Sequence, residues 1–175
     1  MRKCFVGMFA ALLTLGGAAA VASADDVEIK GAHLCCAQCV KIANGLLTKV
    51  DGLSDINADA KLRTITFKSK DEAGAKAGIK AIIDGGFFGK VTCDGKERAV
   101  TLPMPTGKAK EIVVKDVHVC CGACKSAINK LFADAKVTYE GKGPQLTVRI
   151  TGADLDKAAV MDTLRKTGFN GNIEK

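Results

Sequence analysis

Val27 and Ile29 flank Glu28, an alternation of apolar and polar positions that predicts a short strand over residues 27–29. From Cys36 the period changes. Cys39, Ala43, Leu46, Leu47 and Val50 recur at the spacing of one helical face, and Asp51-Gly52 ends that helix. A weak strand over 53–58 follows, then a turn at Asp59-Ala60-Lys61. The next strand, 62–67, carries Ile65 and Phe67 on one face and Thr64 and Thr66 on the other. Residues 71–84 read as a second helix, with Ala75, Ile79, Ile82 and Ile83 as its apolar side and Gly85-Gly86 as its stop. A last strand runs over 88–93. The order β-α-β-β-α-β is the split βαβ, or ferredoxin-like, arrangement.

The same pattern then returns. Ile112 and Val114 begin a strand. Cys121 opens a helix with Ala123, Ala127, Ile128, Leu131 and Phe132 on one side. Val137 and Tyr139 mark a strand, 140–144 a turn, and Leu146, Val148 and Ile150 alternate in the next strand. Residues 154–166 predict the final helix. Gly168-Phe169-Asn170-Gly171 echoes Gly86-Phe87-Phe88-Gly89. The expected fold class is therefore α+β, as two tandem ferredoxin-like βαββαβ domains over 25–94 and 111–175. Between them, residues 95–110 hold Pro103, Pro105 and Gly107 and read as a partly extended linker. Met104 lies within it and is taken as linker rather than as a soft ligand.

Residues 1–24 change the picture of where the chain works. Arg2 and Lys3 precede an apolar run over 5–15, and Ala22-Ser23-Ala24 has the small-x-small pattern of a cleavage site. This layout predicts a secretory signal peptide, a periplasmic or secreted protein, and no stable membrane insertion after cleavage. Without Arg2 and Lys3 the chain keeps 24 basic and 19 acidic residues, a net charge of +5. The basic residues are scattered and aromatics are few, so the charge reads as solvated surface and not as a nucleic-acid footprint.

Chemistry concentrates in one motif. His33-Leu34-Cys35-Cys36-Ala37-Gln38-Cys39 and His118-Val119-Cys120-Cys121-Gly122-Ala123-Cys124 share the pattern His-x-Cys-Cys-x-x-Cys, 85 positions apart. Six of the eight cysteines and both histidines of the chain sit in these two copies. Adjacent cysteines are poor staples for distant segments, so the clusters point to metal or redox work, with each copy expected to form a site on its own domain. Each Cys-x-x-Cys spans a loop and a first helical turn, where free N–H groups and the helix dipole favour thiolate over thiol. That setting suits a metal ligand and a redox nucleophile equally. Cys93 has no counterpart in the second half and reads as buried core. No Ser-His-Asp set, phosphate-cradling glycine loop or carboxylate pair is present, so a non-enzyme is expected.

Around these motifs the sequence resembles heavy-metal-associated domains, the modules of copper chaperones, of the N-terminal arms of metal-pumping ATPases and of the periplasmic mercury-binding protein. Their loop, Gly-Met-x-Cys-x-x-Cys, places the two metal-binding cysteines at Cys36/Cys39 and Cys121/Cys124. Their glycine-aromatic pair before the last strand corresponds to Gly86-Phe87 and Gly168-Phe169, whose rings are expected to shield the loop. The likeness covers residues 27–93 and 112–173. In three places the sequence departs. Leu34 and Val119 replace an apolar methionine, His33 and His118 replace glycine, and Cys35 and Cys120 place a third thiol beside each pair. The resemblance implies a soft metal ion, which two thiols hold as linear Cu(I) or Hg(II), and three thiols with an imidazole as trigonal Cu(I) or tetrahedral Zn(II) or Cd(II). Cu(I) or Zn(II) is the expected ion. Cys35, Cys36, Cys39, Cys120, Cys121, Cys124, His33 and His118 are the candidate ligands, and a metal transporter or another metallochaperone is the candidate partner. The alternative is a thiol-disulfide protein using the same pairs.

Overall fold

The computed structural model describes residues 25–173; the expected signal peptide lies outside the described residues. The first half runs β1 (Asp25–Lys30), α1 (Ala37–Leu47), β2 (Leu53–Asp59), β3 (Thr64–Ser69), α2 (Glu72–Asp84), β4 (Lys90–Cys93) and β5 (Lys96–Arg98). The second runs β6 (Lys108–His118), α3 (Gly122–Leu131), β7 (Lys136–Glu140), β8 (Gln145–Asp156), α4 (Lys157–Lys166) and β9 (Asn172–Ile173). The sheets have the orders β2-β3-β1-β4-β5 and β7-β8-β6-β9, and every pairing is antiparallel. In each half the first strand is central, as the ferredoxin-like α+β fold requires.

Alternation decides which sheet face is buried. Val27, Ile29, Ile65, Phe67, Val91 and Cys93 point into the first core, against Cys39, Ala43 and Leu47 of α1 and Ala75 and Ile82 of α2. Ile112, Val114, Leu146, Val148 and Ile150 do the same in the second half, against Cys124 and Ile128 of α3 and Val160, Met161 and Leu164 of α4. Cys93 is thus a core residue, as expected.

Two expectations are corrected. The segment 95–110, expected to be a partly extended linker, opens with a strand. Asp94 and Gly95, both with positive φ, turn the chain into β5, which pairs back onto β4. Further on, Arg165 donates to the Met104 sulfur at 2.9 Å and to the Pro103 carbonyl at 3.5 Å. The last helix also starts three residues late, because Lys108 pairs with Asp156 and extends β8 through 154–156. Asp156 then caps α4 by accepting from the Ala159 N–H at 2.9 Å, as Asp71 caps α2 by accepting from Gly74 at 2.8 Å.

The halves pack directly on each other, through contacts that come in pairs. Phe87 and Phe169 form an antiparallel bridge; the Phe88 N–H donates to the Gly168 carbonyl at 3.0 Å and the Asn170 N–H to the Gly86 carbonyl at 2.8 Å. Arg63 reaches the Gly31 and Thr167 carbonyls, and Gln145, its repeat counterpart, reaches those of Asp84 and Asp116. Exchanging the halves nearly maps the interface onto itself.

Candidate metal centre

The two cysteine loops start where β1 and β6 are made to end. Gly31, with φ +85°, closes β1, and its repeat counterpart Asp116, with φ +59°, sits in a bulge where the β6–β8 register shifts by one residue. Aspartate is among the few side chains that tolerate this backbone region. The turn directs Ala32 and Leu34 in one half, and Val117 and Val119 in the other, into the core. Leu34 and Val119 fill the apolar plug position, as expected.

The loops then end on helices that lack a side-chain cap. Cys36 and Cys121 are the N-cap residues of α1 and α3, both with extended backbone, and neither side chain makes a capping hydrogen bond. First-turn N–H groups are left facing the thiols, where they favour negative charge on sulfur. Cys39 and Cys124, one turn in, are fully buried.

The packing of the halves brings the two expected sites together, with all six loop thiols in a single cage. Cys35 Sγ lies 3.5 Å from Cys124 and 3.7 Å from Cys121; Cys120 Sγ lies 3.4 Å from Cys39 and 3.9 Å from Cys36. Within the loops, Cys36–Cys39 is 3.6 Å, Cys121–Cys124 3.7 Å, Cys35–Cys39 3.6 Å and Cys120–Cys124 3.9 Å; Cys36–Cys121 at 3.8 Å joins the loops again. All six cysteines are free thiols.

Both histidines enter this cage, unequally. His118 is fully buried, with Nε2 3.4 Å from Cys39 Sγ. Its Nδ1 is buried without a partner, as is Nε2 of His33. His33 groups with Cys35 and Cys124, and His118 with Cys39, Cys120 and Cys124, each set having donor atoms within 4.8 Å of one another. The rings are held from the opposite half: His33 stacks on Phe169 at 4.0 Å and His118 on Phe87 at 4.1 Å. The expected shielding role of the two phenylalanines is therefore played across the interface. The Gly-Phe echo at 86–87 and 168–169 was its only sequence signal.

Gly86 and Gly168 make this approach possible. A Cβ on Gly86 (φ +83°) would stand 2.3 Å from the His118 nitrogen, and one on Gly168 (φ +95°) 2.4 Å from the His33 nitrogen and the Gly31 carbonyl. Only a residue without Cβ adopts that backbone at that distance.

Electrostatics favour one resident thiolate. The nearness of Cys124 first, and of His118 and Cys120, outweighs burial and pulls the Cys39 thiol down to about 2. Burial pushes Cys121 up, but the nearby backbone N–H and thiol of Cys124 bring it down to about 7. Burial raises Cys35 to about 12 and also raises Cys120. Cys124 goes up because the Cys39 thiolate lies close to it, with burial adding to this. Desolvation lowers His33 to about 4, which keeps its imidazole neutral and able to ligate. Six soft sulfurs and two imidazoles in one cage fit a soft or borderline metal ion.

Neither known protein families nor curated proteins offer a match to this sequence. Among solved structures, the chain is similar to the N-terminal soluble domains of Bacillus subtilis CopA, determined in solution. The identity is 17%, over 87% of this chain and 95% of that one, with a TM-score of 0.33. A likeness of that size assigns neither family nor function to the chain.

Proposed function

We propose that this chain is an exported, non-enzymatic binding protein for a soft metal ion, Cu(I) or Zn(II), which it captures, carries or sequesters between its two halves. The observation that carries this reading is the six-thiol cage with sulfur spacings of 3.4–3.9 Å. Thiolates joined by one metal ion approach to similar distances, since metal–sulfur bonds of about 2.3 Å at tetrahedral angles put sulfurs about 3.8 Å apart. The export pattern in residues 1–24 supports a periplasmic or secreted location. Transfer to a metal transporter or another metallochaperone would proceed by ligand exchange, an incoming thiolate binding as a resident one leaves. Cys35, exposed at the cage edge, is suited to be the first exchanged.

An anaerobic titration of the reduced protein with Cu(I) and with Zn(II), each against a competing chelator, tests the reading. Tight binding of at least one of them is expected, lost when all six loop cysteines are serine. No tight binding of either ion, together with turnover in an insulin-reduction assay, would replace it with the thiol-disulfide reading.

A further inference from the structure

In cysteine positions alone, each copy of His-x-Cys-Cys-x-x-Cys resembles a complete site. The distances divide it differently. Cys121 and Cys124 of the second loop form a triangle with Cys35 of the first, with sides of 3.5, 3.7 and 3.7 Å. Cys36 and Cys39 of the first loop form another with Cys120 of the second, with sides of 3.4, 3.6 and 3.9 Å. Three edges, Cys35–Cys39, Cys36–Cys121 and Cys120–Cys124, join the triangles into a trigonal prism. The histidines follow the same division. His33 groups with Cys35 and Cys124, and His118 with Cys39 and Cys120, Cys124 also lying within reach of the latter set.

We propose, building on the soft-metal reading above, that the motif is two devices in one: the Cys-x-x-Cys pair binds an ion in its own half, and the His-x-Cys arm completes the ion site of the other half. The chain then holds two ions, one per triangle, each with three thiols and an imidazole. An ion above such a triangle with a fourth ligand wants sulfurs about 3.8 Å apart, and one in its plane about 4.0 Å. Both triangles meet this with an opening of a few tenths of an ångström.

This reciprocity accounts for features that a site within one loop leaves unexplained. Each arm histidine is clamped by the other half's phenylalanine, and the backbone of each arm passes against the other half's glycine. The shortest sulfur contact in the cage, Cys39–Cys120, crosses the interface.

Cd(II) is a suitable probe, because it is soft, favours three or four ligands and reports thiolate ligation by its charge-transfer absorbance. The unsubstituted protein should bind two Cd(II). In a C36S/C39S background one ion should remain, held by Cys121, Cys124 and Cys35. Adding C35S should then weaken it by more than about tenfold, since residues that merely orient a ligand already cost that much. Adding C120S instead should leave it within about twofold, because Cys120 belongs to the triangle already removed. Ligation within each loop requires the reverse pattern, and that pattern, or equal effects of the two substitutions, overturns the inference. Cys39 is buried, so the mirror series in C121S/C124S is run in parallel with circular dichroism as a folding control. There C120S should weaken the remaining ion and C35S should not. Failure of the unsubstituted protein to bind Cd(II) is a different result, which removes the soft-metal reading and this inference with it.

Discussion

Gly86→Ala isolates what the contact between the halves contributes. The added methyl carbon would stand 2.3 Å from the His118 nitrogen, 2.6 Å from the Asp116 carbonyl oxygen and 3.0 Å from the Val117 carbonyl carbon. All three are backbone atoms, so no side chain can rotate away, and the halves must part by roughly 1 Å to restore ordinary contact. Strain of this kind in a packed interior costs about 1–3 kcal/mol. The left-handed φ of +83° adds about 1–2 kcal/mol for any L side chain. Gly95→Ala is the control. Gly95 has φ +73° but nothing within 4 Å of the added carbon, so it carries the backbone cost without the steric one. Both substitutions also restrict the unfolded chain to a similar extent. Guanidinium unfolding should therefore show Gly86→Ala less stable than Gly95→Ala by about 1–3 kcal/mol. Because the displaced segment carries His118 and Cys120, only Gly86→Ala should weaken metal binding. Equal destabilisation by the two, with metal binding intact in both, would refute the packing of the halves through this contact.

Phe87→Ala removes a fully buried ring that stacks on His118; unfolding should show a loss of about 3–5 kcal/mol, with the His118 ring resonances becoming averaged in NMR spectra. Cys36→Asp should stabilise the metal-free protein by about 1 kcal/mol relative to Cys36→Ala, by capping α1 as Asp71 caps α2; no difference in denaturant midpoint would contradict the open-cap reading. Tyr139, the single tyrosine in the chain, has its one hydroxyl proton between two acceptors, Asn129 Oδ1 at 2.7 Å and the Lys125 carbonyl at 3.0 Å. Burial raises it from 10 to about 12. Its folded pKa lies above the unfolded value, so its contribution to stability is complete below pH 10 and is lost as pH rises through about 12. A tyrosinate absorbance titration with a midpoint near the ordinary value, in protein that is still folded, would contradict this.

Most of the fold was legible because each element carries a local signal. Strand alternation at Val27/Ile29 and at Leu146/Val148/Ile150 gave the correct buried faces, and the apolar stripe from Cys39 to Leu47 gave the correct side of α1. What failed was non-local. Residues 154–156 have no strand pattern of their own and are extended because Lys108 and Ala109 pair with them. Residues 96–98 are exposed and charged, and only β4 makes them a strand. The candidate ligands were visible as a repeated motif, but repetition says nothing about where two copies sit relative to each other. That the copies share a cage follows from surfaces at Gly86-Phe87 and Gly168-Phe169, where Gly86 read as part of a helix stop and the rings as shields of the loop.

The near-twofold interface has a consequence for how dilute the protein can be and still work. Two separate polypeptides carrying these loops would have to find each other before a shared cage existed, and its occupancy would fall with their abundance. Here the 95–110 segment ties them into one molecule, and short tethers of this kind hold partners at an effective concentration on the order of millimolar. Assembly of the cage becomes a folding event inside each chain, independent of how many copies the compartment contains.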